Sequence, residues 1–123
     1  MKILLVDDDA TVTELVTYKL QQAGHNVTSV NGGWQALNLL RDENYGLLIT
    51  DLIMPDISGL TVLSLLKNFL YGKIPVIIIS SLDQPAAILN GIGLGASDFF
   101  TKPIDFEQLL RKIDSLGEKS KAS

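Results

Sequence analysis

The chain has 123 residues, a length that suits one domain with a closed hydrophobic core. It contains no cysteine, which excludes disulfide bonds and thiolate metal sites. Its formal net charge of -4 argues against direct nucleic acid binding by this domain. No apolar run approaches the roughly 20 residues of a membrane-spanning helix, and residues 1–6 are too short for a signal peptide. We therefore expect a cytoplasmic location without membrane insertion.

Short apolar runs alternate with segments of helical periodicity along the chain. The first helix is predicted to begin after Asp9, which suits the N-cap position, and to end before Gly24. The second helix begins near Gly33 with Trp34 partly buried, and the last helix ends at Gly117. The predicted strands cover residues 3–6, 26–30, 47–50, 76–79 and 98–101, and the third and fourth helices cover about 62–70 and 85–92.

This alternation predicts an α/β fold in which a parallel sheet lies between two layers of helices. Open sheets of this kind bind their ligands beyond the carboxyl ends of the strands. The predicted domain covers residues 1–117, and residues 118–123 are expected to be a tail or the start of a linker. The strand ends are therefore the place to look for chemistry.

Four predicted strands end in groups that can do chemistry. The first strand is followed by Asp7–Asp9 and the third by Asp51. The fourth ends in Ser80–Ser81, and the fifth is followed by Lys102–Pro103. Parallel strands share one carboxyl edge, so acids, hydroxyls and a lysine are predicted to converge there.

Converging carboxylates repel one another and raise one another's pKa unless a cation is present. Oxygen ligands without histidine or cysteine select Mg²⁺ or a similar hard ion. Lys102 can pair with a carboxylate and later with a phosphoryl oxygen. Aspartate can act as the nucleophile in covalent phosphoryl transfer, so the pattern indicates Mg²⁺-dependent transfer to a carboxylate.

These segments resemble the signature motifs of receiver domains in two-component signalling. The likeness covers residues 1 to about 116 and rests on four motifs in the order and spacing of the family. The motifs are Val6–Asp9, Asp51–Pro55 with Gly59, Ser80–Ser81 and Thr101–Pro103. The resemblance implies a doubly wound, CheY-like (flavodoxin-like) three-layer sandwich with five helices and five strands in the order 2-1-3-4-5.

The same resemblance implies roles for individual residues. Asp51 would be the phosphoacceptor, and Lys102 and Ser80 would contact the phosphoryl group. Ser80 and Phe99 would form the switch, with Phe99 moving inward on activation. The bond from Lys102 to Pro103 is commonly cis in the family.

A Mg²⁺ site is also implied by the resemblance. Asp8, Asp51 and the backbone carbonyl of Ile53 would bind the ion directly, and Asp7 would act through water. Ile53 and Leu82 flank the phosphorylation site, and both are apolar, so neither can orient an attacking water. We therefore expect slow hydrolysis of the phosphoryl group.

Residues Pro85–Ser97 carry no charge although they include a predicted surface helix. Gly91, Gly93 and Gly95 weaken the end of that helix, at up to about 1 kcal/mol each relative to alanine. One interpretation is a mobile output surface, and the other is simple packing of the helix on the sheet. Both interpretations stay open at this point.

The resemblance implies a phosphorylation-controlled switch rather than an enzyme, with slow autophosphatase activity. The expected partners are a sensor histidine kinase or a histidine phosphotransfer protein, and a downstream effector. The output face would comprise the fourth helix, fifth strand and fifth helix, and a homodimer through that face is left open.

Two alternatives are a Mg²⁺-dependent phosphohydrolase and a phosphate-independent binding module. The phosphohydrolase is disfavoured because such enzymes usually have a second carboxylate shortly after the nucleophile, whereas Asp51 is followed by Leu52 and Ile53. The binding module is disfavoured because Asp8, Asp51 and Lys102 are all present.

Overall fold

A computed structural model of the protein describes residues 1–69, 73–81 and 85–122. Strands and helices alternate through these residues in the order predicted from the sequence. The strands are β1 (Lys2–Val6), β2 (Asn26–Val30), β3 (Leu47–Asp51), β4 (Val76–Ser80) and β5 (Asp98–Thr101). The helices are α1 (Ala10–Gln22), α2 (Gly33–Asp42), α3 (Gly59–Phe69), α4 (Pro85–Gly93) and α5 (Phe106–Ala122).

All strand pairs are parallel, and the strands lie in the order β2-β1-β3-β4-β5. The predicted doubly wound, three-layer fold is therefore confirmed. One face of the sheet packs against α1 and α5, and the other packs against α2, α3 and α4. Burial on both faces explains why β1, β3 and β4 are continuous apolar runs. Within the described residues, no helix is both long and apolar enough to cross a bilayer.

Both predicted ends of α1 are confirmed by its capping interactions. One carboxylate oxygen of Asp9 accepts hydrogen bonds from the backbone N–H groups of Thr11 (3.0 Å) and Val12 (3.3 Å). Gly24 follows the helix with a φ of 93°, a left-handed conformation that favours glycine. These local signals position Asp7 and Asp8 between β1 and α1.

The predicted end of the last helix at Gly117 is wrong, because α5 continues to Ala122. Gly117 does not adopt the positive φ seen at Gly24 and Gly95. A glycine inside a helix costs only about 1 kcal/mol relative to alanine, so good helix formers on both sides can carry the helix through it. The assignment of residues 118–123 to a tail or linker stays a prediction.

Two helices, α2 and α4, carry large apolar side chains that are exposed to solvent. Trp34, which we expected to be partly buried, is 55% exposed at the start of α2, so that expectation is wrong. On α4, Leu89 is 69% and Ile92 is 53% exposed, whereas Ile88 is half-buried and Gly91 faces Ile78 of the sheet. One face of α4 therefore packs on the sheet, as the second interpretation expected, and the output role of the exposed face stays a prediction.

The start of α3 packs directly against the backbone of Asp51. A Cβ atom at Gly59 would overlap the carbonyl oxygen of Asp51 and lie 3.2 Å from the Cα of Leu52. The backbone N–H of Gly59 donates to the carbonyl oxygen of Leu52 at 2.8 Å. Only glycine fits this close approach of two backbone segments.

We expect Gly59→Ala to lower the free energy of unfolding by about 3 kcal/mol, because the added methyl meets backbone atoms rather than a flexible side chain. Urea-induced unfolding measures this change. Gly93→Ala is the control, since no atom lies within 4 Å of a Cβ there. The control should change stability by no more than about 1 kcal/mol, in the stabilising direction. Equal destabilisation by both substitutions would contradict the argument.

Candidate functional site

The register of the sheet brings the predicted strand-end residues to one edge. Asp51 pairs with Ile79 in the β3–β4 register, and Ser80 pairs with Thr101 in the β4–β5 register. The backbone N–H of Lys102 donates to the carbonyl oxygen of Ser80 at 2.8 Å, and the bond from Lys102 to Pro103 is cis, as the resemblance implied. The lysine therefore leaves the sheet at the same edge as the aspartates.

The ammonium group of Lys102 lies between two buried carboxylates. Its Nζ atom is 2.9 Å from Oδ2 of Asp7 and 3.2 Å from Oδ2 of Asp51. Asp7 is 2% exposed and Asp51 is 7% exposed, so solvent screens these pairs only weakly. Sequence reasoning anticipated the lysine at this edge but did not anticipate that Asp7 is the nearer partner.

The remaining carboxylate oxygens are also held by the backbone. Oδ1 of Asp7 accepts the N–H of Asp9 at 2.9 Å, and Oδ1 of Asp51 accepts the N–H of Leu52 at 2.7 Å. Each of these two carboxylates thus has one oxygen bonded to the backbone and the other in an ion pair with Lys102.

Burial and charge act in opposite directions on these groups. Burial raises the pKa of Asp51, the nearby Asp7 raises it further, and Lys102 lowers it only in part, so the net shift is upward. Burial lowers the pKa of Lys102, but Asp7 and Asp51 outweigh that effect and the net shift is again upward. Lys102 is therefore a cation at neutral pH. Its one positive charge lies beside the two carboxyl groups of Asp7 and Asp51 and offsets their charge only in part.

Three carboxylates form a group that can hold a metal ion. One oxygen each from Asp7, Asp8 and Asp51 lies within 4.8 Å of the others, and Asp8 is exposed to solvent. Two of these carboxylates, those of Asp7 and Asp51, pair with the ammonium group of Lys102. An all-oxygen donor set with excess negative charge and one open side fits Mg²⁺, which keeps several water ligands.

The predicted switch residues lie on the two strands next to this cluster. Ser80 is buried at the end of β4, and Ser81 is exposed just beyond it. Phe99 is half-buried on β5 and packs against the core on the side of α4. The Ile53 side chain, two residues after Asp51, is 59% exposed, and Leu82 lies outside the described residues.

One tertiary contact near the site was not anticipated from the sequence. Asp56, in the loop after β3, accepts hydrogen bonds from the backbone N–H groups of Gly33 and Trp34, each at 3.0 Å. These hydrogen bonds lower the pKa of Asp56, the Trp34 N–H having the largest effect. The available signal was Gly32, which precedes α2 but has no side chain to cap it.

Comparison with known protein families gives a match over most of the chain. The family model described as the response regulator receiver domain matches residues 3–114. A two-component response regulator, ARR10 of Arabidopsis thaliana, is 35% identical over 123 residues, which cover 98% of this chain and 22% of that protein. The transcriptional regulatory protein HprR of Escherichia coli is 33% identical over 113 residues, covering 92% of this chain and 50% of that protein.

Solved structures are similar over nearly their whole length. The receiver domain of the Francisella response regulator 1452 superposes with a TM-score of 0.91 at 29% identity, covering 97% of this chain and 98% of that chain. By contrast, the chain spans between about a fifth and a half of the length of the curated relatives it matches. The similarity therefore concerns this domain and leaves the relatives' other parts aside.

We expect Lys102→Ala to raise the pKa of Asp51 further, because the substitution removes the cation that opposes burial and the charge of Asp7. Carbon-13 NMR titration of the carboxyl groups in metal-free protein measures the pKa. When folding raises the pKa of a carboxyl group, the ionised form of that group destabilises the folded state. The variant should therefore be less stable than the wild type at neutral pH, and the difference in stability should shrink as the pH falls and Asp51 becomes protonated. Arg111→Ala, at an exposed ion pair with Glu107, is the control. An unchanged Asp51 pKa in Lys102→Ala would contradict the role of Lys102.

Proposed function

The chain belongs to the response regulator receiver domain family, and we propose that Asp51 is its phosphoacceptor. The family is a signalling switch rather than a classical enzyme, and acceptance of a phosphoryl group is its general property. The observation that supports the assignment is the buried cluster in which Lys102 lies 2.9 Å from Asp7 and 3.2 Å from Asp51. Asp51 is the member of this cluster at the end of the central strand β3.

The transfer step forms one bond and breaks another. An oxygen of Asp51 attacks the phosphorus of a phosphohistidine on a partner protein, the P–N bond breaks, and the histidine nitrogen keeps the electron pair. The Leu52 N–H holds Oδ1 of Asp51 in place, so the carboxylate is oriented before the donor arrives. Lys102 is within reach of Asp51 and can follow the new phosphoryl oxygens.

The proposed Mg²⁺ ligands are Asp8, Asp51 and the backbone carbonyl of Ile53, with Asp7 acting through water. Bound Mg²⁺ would offset negative charge on the transferring phosphoryl group. The carboxylates of Asp7, Asp8 and Asp51 are close enough together to share one ion. The excess negative charge of the cluster favours binding of a divalent cation.

Ser80 and Phe99 are the proposed switch, and α4, β5 and α5 the proposed output face. Ser80 lies at the end of β4, beside the strand that carries Phe99. Phe99 and Ala87 of α4 pack against the same core cluster, so a shift of the ring would disturb α4. The exposed Leu89 and Ile92 offer apolar surface for a partner on this face.

The proposed partners follow from the family. The donor would be a sensor histidine kinase or a histidine phosphotransfer protein, and the output would reach a downstream effector or a second copy of the domain. A hydrolase function is less well supported, because Leu52 is buried and the exposed Ile53 carries no acid. The cytoplasmic location expected from the sequence stays a prediction.

The first experiment is the intact mass of the protein after incubation with acetyl phosphate, with and without Mg²⁺. We expect a Mg²⁺-dependent gain of one phosphoryl group that persists for minutes or longer, because Ile53 cannot orient an attacking water. Asp51→Asn should gain none. Asp42→Asn, at an exposed carboxylate paired with Arg41, is the control and should behave as the wild type. Phosphorylation of Asp51→Asn would place the acceptor elsewhere.

NMR spectra of the same samples test the output face. Phosphorylation should shift the signals of Phe99 and of the α4 backbone more than those of Tyr18, which is exposed on α1. The reason is that Phe99 and α4 pack against the same core cluster, whereas α1 packs on the opposite face of the sheet. A phosphorylated protein with unchanged Phe99 and α4 signals would contradict the proposed output route.

A further inference from the structure

Asp56 joins the loop after β3 to the beginning of α2. Its Oδ1 accepts the backbone N–H of Gly33 and its Oδ2 accepts that of Trp34, both at 3.0 Å. Its Oδ1 also accepts the N–H of Ile57 at 2.8 Å, which shapes the loop itself. One carboxylate therefore connects the loop after β3 to two residues at the start of α2, which lie 23 and 22 positions earlier in the sequence.

Asp56 supplies a cap that α2 lacks in its own sequence. The N-cap position is Gly32, whose backbone is extended (φ −148°, ψ 155°) and whose lack of a side chain leaves the first N–H groups without a local acceptor. A Cβ at Gly32 would lie 3.1 Å from Oδ2 of Asp56, so the carboxylate occupies the space of an ordinary capping side chain. The glycine and the distant aspartate together form one cap.

The same loop is also fixed at its two ends. Gly59 packs against the backbone of Asp51 and bonds to Leu52, as described above. A Cβ at Gly33 would lie 2.5 Å from Ile57, so α2 and the loop are in close contact beside the Asp56 cap. Between these anchors lies Ile53, the residue whose carbonyl is the proposed metal ligand.

We propose that Asp56 is a positioning residue for the metal site, because its cap on α2 fixes the backbone that carries the Ile53 carbonyl. This inference rests on the Mg²⁺ site of the proposed function. Groups that orient a ligand from behind commonly change metal affinity by about tenfold or more. Asp56 acts on Ile53 through the two intervening residues Met54 and Pro55, so a smaller effect is expected.

The test is the Mg²⁺ dissociation constant of the unphosphorylated protein, measured by isothermal titration calorimetry with the metal alone. Asp56→Ala should weaken Mg²⁺ binding by about threefold to tenfold. Asp56→Asn keeps one acceptor oxygen and should fall between the wild type and Asp56→Ala, which provides a second variant if the first folds poorly. Urea unfolding of each variant, without metal, measures the loss of the helix cap separately.

The double variant Gly32→Ser with Asp56→Ala separates positioning from stability. Serine at the N-cap can accept a backbone N–H of α2, in the space that the Asp56 carboxylate leaves. We expect this variant to regain the urea midpoint of the wild type but to keep the weakened Mg²⁺ binding. Recovery of both properties would overturn the inference, because a local cap would then be sufficient.

Ser58→Ala is the matched control within the same loop. Ser58 accepts the N–H of Thr61 at 3.1 Å, a local cap of α3 that makes no connection to α2. This variant should lose stability but bind Mg²⁺ as the wild type does. Wild-type affinity in a folded Asp56→Ala would overturn the positioning role alone. A wild-type protein that binds no Mg²⁺ would instead refute the metal site of the proposed function, and the positioning role with it.

Discussion

The contact of one ammonium group with two buried carboxylates is the interaction on which the strand-end site depends. The carboxylate oxygens of the cluster lie within 4.8 Å of one another. At that separation two like charges repel by roughly 3 kcal/mol at an effective dielectric constant of about 20, and more at shorter distances. Lys102 offsets this repulsion only in part, since it faces both Asp7 and Asp51. Among the described residues, every buried polar or charged side chain lies at this edge of the sheet: Asp7, Thr50, Asp51 and Ser80. The apolar strands thus confine the electrostatic imbalance to a single place.

That confinement explains how a small domain can act as a switch. The parallel sheet brings residues from β1, β3, β4 and β5 to one edge, although they are far apart in sequence. Each segment contributes a different element of the proposed chemistry: acids from β1 and β3, a hydroxyl from β4 and a cation after β5. A phosphoryl group added to Asp51 would increase the negative charge that Lys102 already offsets only in part. In the proposed output route, the response then passes to Phe99 and α4, which share packing with the core on that side.

The sequence predicted those parts of the structure that local signals determine. The bounds of β2 and β5, the Asp9 cap and the stop at Gly24 were all correct, because each depends on residues close together in the chain. Gly24 and Gly117 show the limit of such reasoning, since the first adopts a positive φ and ends a helix while the second lies within one. The Asp56 cap could not be predicted, because it joins segments that only the folded sheet brings together. The preference of Lys102 for Asp7 likewise depends on tertiary distances that no spacing encodes.

The close packing of Gly59 against Asp51 limits the directions in which the backbone around Asp51 can move. On that side, the backbone of α3 touches the backbone of Asp51, and no side chain lies between them to yield under load. On the other side, β4 pairs with β3 and β5 pairs with β4, and Gly91 of α4 lies against Ile78 of β4 with little side-chain bulk. Packed interiors transmit strain because they compress very little. The backbone contact at Gly59 leaves α3 no room to move toward Asp51, so in the proposed mechanism a displacement that begins at Asp51 is directed toward β4, β5 and α4.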